Sequence, residues 1–262
     1  MRTDKVDGKV TAERLKTWKG RREKIAALTA YDYPTARLLD EAGVDLLLVG
    51  DSLGMVILGY PDTTFVKLEE VVHHTRAVAR GVRRSLLVAD LPIGTYGDPG
   101  QALESARRLA AAGAEAVKLE GGQIQAEQIR AITAAGIPVV GHIGMLPQHV
   151  REEGGYRIKG KTEAESELLR REAEAVVAAG ACGVVLELVT PVAAERITRA
   201  ITIPTIGIGS GPNCDGQILV VHDLVGFFPW FTPKHVRPAG DVAGEIRKAA
   251  SGFVEKLHRA GS

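Results

Sequence analysis

Short, almost continuously apolar runs alternate along this chain with longer segments in which apolar residues recur at helical spacing. The runs cover residues 25–30, 46–50, 85–89, 114–119, 137–141, 183–188, 203–207 and 218–221, and Val, Ile and Leu dominate them. Strands covered on both faces of a parallel sheet read this way, because neither face meets water. Between the runs, residues 99–112, 127–135, 162–179 and 191–200 read as helices. Several close on an Ala-Gly pair before the next run, at Gly43, Gly113, Gly136 and Gly180. Glycine there supplies the left-handed residue that stops a helix and turns the chain back. Thr162 with Glu165 matches a capping box at the start of a helix.

Eight strands alternating with helices point to a (βα)8 TIM barrel, a fold that needs ~250 residues. The 262 residues accommodate it as a single catalytic domain over 1–262, with an extra N-terminal helix at 11–20 placed to close the barrel floor. An open doubly wound sheet is the alternative on pattern alone.

Composition narrows the function classes. A net charge of +1 and 5% aromatics argue against a nucleic-acid surface, an anionic-membrane surface or a base-stacking platform. No apolar window reaches the ~18 residues of a membrane span. The stretch 1–9 alternates charges and lacks the apolar segment of a signal peptide. Cys182 and Cys214 fit a reducing compartment, so a cytoplasmic location is expected, and Cys182 in its apolar run reads as core filling.

The strand ends carry chemistry. They present Tyr31-Asp32, Asp51-Ser52, Asp90, Lys118 with Glu120, His142, Glu187, and a glycine turn from Gly207 to Gly211. In a barrel these all lie at the C-terminal rim, where active sites are built. Side chains alternate along a strand, so Lys118 and Glu120 share the inward face if Val117 and Leu119 pack on helices, and Glu187 points inward between Leu186 and Leu188. Carboxylates from several strands in one partly dry mouth repel one another. Protonation or a divalent cation relieves this, and an all-oxygen donor set favours a hard ion such as Mg2+. Against this stands the plainer reading that each acid pairs with a neighbouring Arg or Lys.

His142, in Gly-His-Ile-Gly, is either a substrate contact or a hydrogen-bonded core histidine, and the adjacent His73 and His74 read as structural or surface residues. Residues 155–162 match the phosphate-loop pattern letter for letter, but no buried strand precedes them as that motif requires. The Gly207–Gly211 turn runs into Pro212 rather than a helix, so it fails as a dinucleotide fingerprint. The long charged segment 146–161 is expected to act as a lid that excludes water.

With these residues assembled, the chain resembles the ketopantoate hydroxymethyltransferase family from about Lys24 to about Lys234. The resemblance rests on Leu28-Thr-Ala-Tyr-Asp-Tyr33, Val49-Gly-Asp-Ser-Leu-Gly-Met55, Asp90-Leu-Pro92, Val117-Lys-Leu-Glu-Gly-Gly122, Gly141-His-Ile-Gly144, Gly154-Gly-Tyr156, Leu186-Glu187 and Asp215-Gly-Gln217. It implies a magnesium-dependent (βα)8 barrel, assembled as a homodecamer, with 5,10-methylenetetrahydrofolate as one-carbon donor and 3-methyl-2-oxobutanoate as acceptor. It further implies that Asp51, Asp90 and Glu120 form the metal site, directly or through water. Asp51, Ser52, Asp90 and Lys118 would surround the 2-oxo acid, and Glu187 would be the catalytic base. The chain departs from the family pattern at Ile93-Gly94-Thr95, at Ser210 in place of an alanine, and beyond Lys234.

The implied chemistry agrees with the rim residues: an acidified C3–H, an enolate stabilised by metal and Lys118, and proton transfer to Glu187. The competing enzymatic expectation is a metal-dependent lyase or mutase of the phosphoenolpyruvate-mutase type, whose Lys-x-Cys-Gly loop this chain lacks. A nucleotide-binding protein resting on 155–162, and a barrel kept for assembly or regulation, are the remaining alternatives.

Overall fold

The computed structural model describes residues 8–260, so most of the charged stretch read at 1–9 lies outside the described residues. Eight strands are hydrogen-bonded in sequence order and close on themselves: β1 (Ile25–Thr29), β2 (Leu46–Val49), β3 (Leu86–Asp90), β4 (Ala116–Glu120), β5 (Val139–Gly144), β6 (Gly183–Glu187), β7 (Thr205–Ile208) and β8 (Gly216–Leu219). The paired strands run parallel, and the doubly wound alternative is thereby set aside. Helices α1 (Ala12–Lys16), α2 (Tyr33–Glu41), α3 (Leu53–Val56), α4 (Leu68–Ala79), α5 (Pro99–Ala111), α6 (Ala126–Ala134), α7 (Glu163–Ala178) and α8 (Pro191–Ala200) lie between or before the strands. The four helix-ending glycines all have positive φ, between +82° at Gly136 and +110° at Gly113, as their place in the pattern requires.

Alternation inside the barrel is strict. Ile25, Ala27, Leu46, Leu48, Leu86, Val88, Ala116, Val140, Val185, Ile206 and Ile218 form one buried cluster, and the intervening residues of each strand take the other face. Val10, Ala12, Leu15 and Trp18 belong to the same cluster, so the N-terminal segment plugs the barrel floor. Burying Leu15 completely contributes roughly 1.5–3 kcal/mol. The plug is fastened by Asp215, which accepts from Lys19 Nζ, Gly20 N and Thr205 N, each at 2.9 Å. Burial disfavours that carboxylate, but these bonds outweigh it and hold its pKa below the usual range. The helix itself is shorter than the pattern suggests, starting on the Thr11 cap and ending at Lys16.

Three strand boundaries differ from the apolar runs for identifiable reasons. β5 and β7 begin after Pro138 and Pro204, which lack the N–H a ladder needs, although both carbonyls still accept at 3.0 Å, from Val117 and Val184 respectively. β8 begins at Gly216, where a Cβ would lie 2.6 Å from that of Ile25, so the closing strand needs a residue with no apolar signal.

Residues 219–260 belong to a second compact unit. It holds α9 (Val221–Leu224) and the nineteen-residue α10 (Val242–Ala260). Backbone bonds from Ala239 to Leu224, Val242 to Val225 and Ala243 to Gly226 tie its segments together. Ile246, Phe253, Val254 and Leu257 of α10 are exposed. Among the described residues no helix is long and apolar enough to cross a membrane.

Candidate active site

The inward parity that buries Leu86 and Val88 on β3 continues to Asp90, and on β4 it runs from Ala116 to Lys118 and Glu120. On β5 it reaches His142 above Val140, and on β6 Glu187 above Val185. Register then makes neighbours of these residues: Asp90 is paired with Lys118 and Glu120 with His142. Asp51 and Ser52 follow β2 directly. Gly50 permits their approach, since a Cβ there would lie 2.9 Å from Ser52 Oγ and 3.4 Å from Asp90 Oδ2.

The result is one continuous buried network. Lys118 Nζ lies 2.9 Å from Asp90 Oδ1 and 3.3 Å from His142 Nδ1. The Asp51 backbone N–H donates to Asp90 Oδ2 at 3.0 Å. His142 reaches Glu120 at 3.4 Å through Nδ1 and Glu187 at 3.3 Å through Nε2. Asp51, Asp90, Lys118, Glu120 and His142 are all at most 5% exposed. Ser52 stands at the edge, with its Oγ 2.7 Å from the Tyr31 hydroxyl. Asp51, Ser52, Asp90, Lys118, Glu120, His142 and Glu187 are therefore gathered at this rim.

The electrostatics follow from the crowding. Burial, then the charges of Asp90 and Glu120, push the Asp51 carboxyl well above the usual carboxylate range, against the pull of Lys118 and Gln148. Burial raises Asp90 as well, opposed chiefly by Lys118. Glu120 goes the other way: burial resists, but His142, Lys118 and the Gln148 N–H stabilise its charged form. Burial also works against a charged Lys118, yet the carboxylates of Asp90, Glu120 and Asp51 raise its pKa, so it is a firm cation. His142 is disfavoured as a cation by burial and by Lys118, but Glu120 and Glu187 more than compensate and lift it to about 9.

These residues suit a divalent metal. Asp51, Asp90 and Glu120 offer hard oxygen donors, and Asp90 Oδ1 is fully buried without a hydrogen bond of good geometry, despite its proximity to Lys118. Four acids face one lysine and one histidine, so a further positive charge would relieve their mutual repulsion. The side chains are not drawn around a common point: among the described residues no three His, Cys, Asp or Glu side chains form a metal-holding group.

Two participants carried no signal in the apolar pattern. Gln148, 1% exposed, donates from Nε2 to Asp51 Oδ2 at 2.8 Å and to the Leu91 carbonyl at 3.1 Å, while its backbone N–H donates to Glu120 Oε2 at 3.1 Å. Tyr96 donates its hydroxyl to Gln148 Oε1. Burial and the nearby acids raise the pKa of Tyr96, keeping it a donor. Conversely, the rim acid Asp32 caps α2 by accepting from Thr35 N at 2.8 Å, and His74 is held against the Tyr31 carbonyl at 2.6 Å.

The backbone beyond β6 is unusual. Leu188, next to Glu187, has φ +48°, a conformation that bulky residues adopt only under constraint. The constraint is visible: Leu188 N donates to Ile208 O, and its carbonyl accepts from Lys159 N. Ser210 completes it, with its Oγ donating to Leu186 O at 2.7 Å and accepting from Val189 N at 3.0 Å.

The segment 146–161 is anchored at both ends. Gln148 holds its start in the site, and Lys159 pairs with Val189 near its end. Arg151 pairs with Asp62 at 2.8 Å across the mouth, and Tyr156 is half-exposed with its pKa raised by burial and by Glu187 and Asp51. No strand runs directly into 155–162, Lys161 is exposed, and Thr162 serves as the α7 cap by accepting from Glu165 N. Only half of the expected capping box forms, because Glu165 reaches back to Lys161 N instead of Thr162 N. Cys182 is buried, donates to Val139 O and has its thiol pushed up to about 12 by burial, in keeping with core filling.

The sequence model of the family described as ketopantoate hydroxymethyltransferase matches residues 9–261. A 3-methyl-2-oxobutanoate hydroxymethyltransferase from Aeropyrum pernix is 54% identical over 233 residues, covering 87% of this chain and 84% of its own length. Another from Acetivibrio thermocellus is 50% identical over 236 residues, covering 89% and 83%. Among solved structures, a phosphoenolpyruvate phosphomutase from Streptomyces platensis subsp. rosaceus matches with a TM-score of 0.65 at 17% identity, covering 95% of this chain and 88% of that one. That likeness is one of fold alone.

Proposed function

Because this chain belongs to the ketopantoate hydroxymethyltransferase family, we propose that its barrel mouth transfers a hydroxymethyl group to 3-methyl-2-oxobutanoate, giving 2-dehydropantoate for pantothenate biosynthesis. The observation that carries the assignment of residues is the run of close polar contacts from Asp51 through Asp90 and Lys118 to His142, which reaches both the buried Glu120 and the partly exposed Glu187. Such a network combines a fixed cation, hard oxygen donors and a carboxylate held by a histidine, which is what enolisation of a 2-oxo acid needs.

In this reading Asp51, Asp90 and Glu120 hold a divalent cation, with Mg2+ the expected ion. When bound, it would supply Lewis acidity that lowers the pKa of the substrate's C3–H. Lys118, favoured as a cation by the carboxylates around it, faces the negative charge that grows on the keto oxygen. Glu187 takes the C3 proton on a carboxylate oxygen, and His142 fixes the orientation of that carboxylate. Ser52, steadied by Tyr31, offers a hydroxyl to the substrate carboxylate. Water opens the methylene bridge of 5,10-methylenetetrahydrofolate, breaking its two C–N bonds to give formaldehyde and tetrahydrofolate. The resulting carbon nucleophile adds to the formaldehyde carbon, whose oxygen takes a proton to become the hydroxymethyl group. The segment 146–161 acts as the lid that keeps bulk water from the enolate.

Support for self-association comes from α10, whose apolar side chains Ile246, Phe253, Val254 and Leu257 are exposed to solvent and suit burial against further copies in a homo-oligomer, with the decamer as the expected form.

The test follows the C3–H proton signal of 3-methyl-2-oxobutanoate in heavy water, with metal-stripped protein, then with magnesium, then with methylenetetrahydrofolate. Magnesium-dependent exchange that is lost in Glu187→Gln, followed by 2-dehydropantoate on adding folate, is the expected result. Exchange without product would remove the folate donor and favour the lyase or mutase alternative. No exchange with any metal would overturn the roles given to these carboxylates.

A further inference from the structure

Gln148 has one acceptor and two donor hydrogens in its side chain, and each has a partner. Its Oε1 accepts from the Tyr96 hydroxyl, and its Nε2 donates to Asp51 Oδ2 and to the Leu91 carbonyl. This pattern admits one amide orientation. Rotating the amide by half a turn would set Oε1 against a carboxylate and a carbonyl and would leave Tyr96 facing another donor. The backbone N–H of the same residue donates to Glu120 Oε2. One residue thus contacts two of the three carboxylates assigned to the metal, from different strand ends, and it lies in the segment assigned as the lid.

We propose that Gln148, oriented by Tyr96, is a positioning residue that presents Asp51 and Glu120 to the divalent cation and ties docking of the 146–161 segment to metal binding. The proposal rests on the metal-dependent reading above. A carboxylate that is also hydrogen-bonded by a neighbour is held in the orientation its ligand needs, and losing such a neighbour commonly costs ~10–100-fold in metal affinity. Asp51 depends on this most. Its Oδ2 accepts from the Gln148 amide at 2.8 Å, across 97 positions of sequence.

The experiment titrates Mn2+ into metal-stripped protein by calorimetry and follows bound Mn2+ by water-proton relaxation, for the wild type, Gln148→Met and Tyr96→Phe. Circular dichroism and thermal melting run alongside. Methionine keeps the volume and the backbone N–H but removes the amide, and phenylalanine removes only the hydroxyl. Gln148→Met should weaken Mn2+ ~10–100-fold, and Tyr96→Phe should weaken it by about tenfold with an unchanged circular dichroism spectrum. If Gln148→Met does not fold, Tyr96→Phe decides alone. Wild-type-like or tighter Mn2+ binding in the folded variants would overturn the role of Gln148 while leaving the metal-dependent reading intact. A wild-type protein that binds no Mn2+ at millimolar concentration would remove both.

Discussion

Asp40 lies at the end of α2, far from the chemistry, yet it governs how β3 enters the barrel. Its carboxylate is 8% exposed and accepts from three successive backbone N–H groups, those of Arg83, Arg84 and Ser85, at 2.7–3.1 Å. Five residues beyond this clamp, β3 ends in Asp90. Asp40→Asn preserves the shape but turns one oxygen into a donor facing donors. Hydrogen bonds to charged groups contribute about 1.5–3 kcal/mol, and an orphaned N–H costs about 1–3 kcal/mol, so a loss of about 2–4 kcal/mol is expected. For a chain of this size that lowers Tm by roughly 5–10 °C.

The pH dependence of that loss is a stricter test. Burial alone would raise the Asp40 pKa, but the bonds from Ser85, Arg84 and Arg83 outweigh it and hold the carboxyl below its usual range. A folded-state pKa below the unfolded value of about 3.9 contributes stability that is complete above that value and is lost as pH falls through the folded pKa. Urea denaturation of wild type and Asp40→Asn at a series of pH values should therefore show a constant gap above pH ~5 that narrows below pH ~4. A gap under about 0.5 kcal/mol at neutral pH, or one that widens in acid, would refute the reasoning.

Four further outcomes are expected. Ser210→Ala leaves the buried Val189 N–H without its acceptor and should cost about 1–3 kcal/mol in thermal denaturation. Gly144→Ala must place a Cβ 2.4 Å from the Glu187 carbonyl at φ +100°, so it should lose at least ~2 kcal/mol and most of the activity, both measured on the purified variant. Lys118→Met removes the cation beside Asp90 and should lower kcat/KM at least ~100-fold. Its stability deficit in chemical denaturation should shrink as pH falls, because Asp51 and Asp90, already raised, take up protons more readily in the folded state. Adding Mg2+ to chelator-treated protein should stabilise it by about 2.7 kcal/mol at a hundredfold excess over Kd, read as a rise in Tm, and Glu120→Ala should abolish most of that rise.

Much of the barrel was legible because periodicity is a local property. The run 85–89 reads as a strand covered on both faces, and its end sets Asp90 at the C-terminal rim. The same argument located Lys118, Glu120 and Glu187. It failed where the deciding force was not hydrophobic. Proline delayed β5 and β7, and close backbone approach selected the silent Gly216 for β8. Asp32 looked like a rim acid, but its carboxylate is occupied by the α2 cap. Gln148 and Tyr96 stayed hidden because the burial of a polar loop residue depends on partners distant in sequence: Gln148 meets Asp51 across 97 positions. Its one local hint was its place just after Gly-His-Ile-Gly in a loop long enough to return over the mouth.

The double attachment of 146–161 has an evolutionary corollary. With Gln148 fixed in the network and Lys159 paired beside Val189, the residues between them are mostly exposed. Lengthening such a span costs little closure entropy, only ~0.6 kcal/mol per doubling. Insertions beside Glu152 and Glu153 that leave Gly154, Gly155 and Tyr156 whole can therefore reshape what enters the mouth while the acids below keep their places. A lineage, or an engineer, could change the guest at this barrel by extending one short surface span and leaving the eight strands as they are.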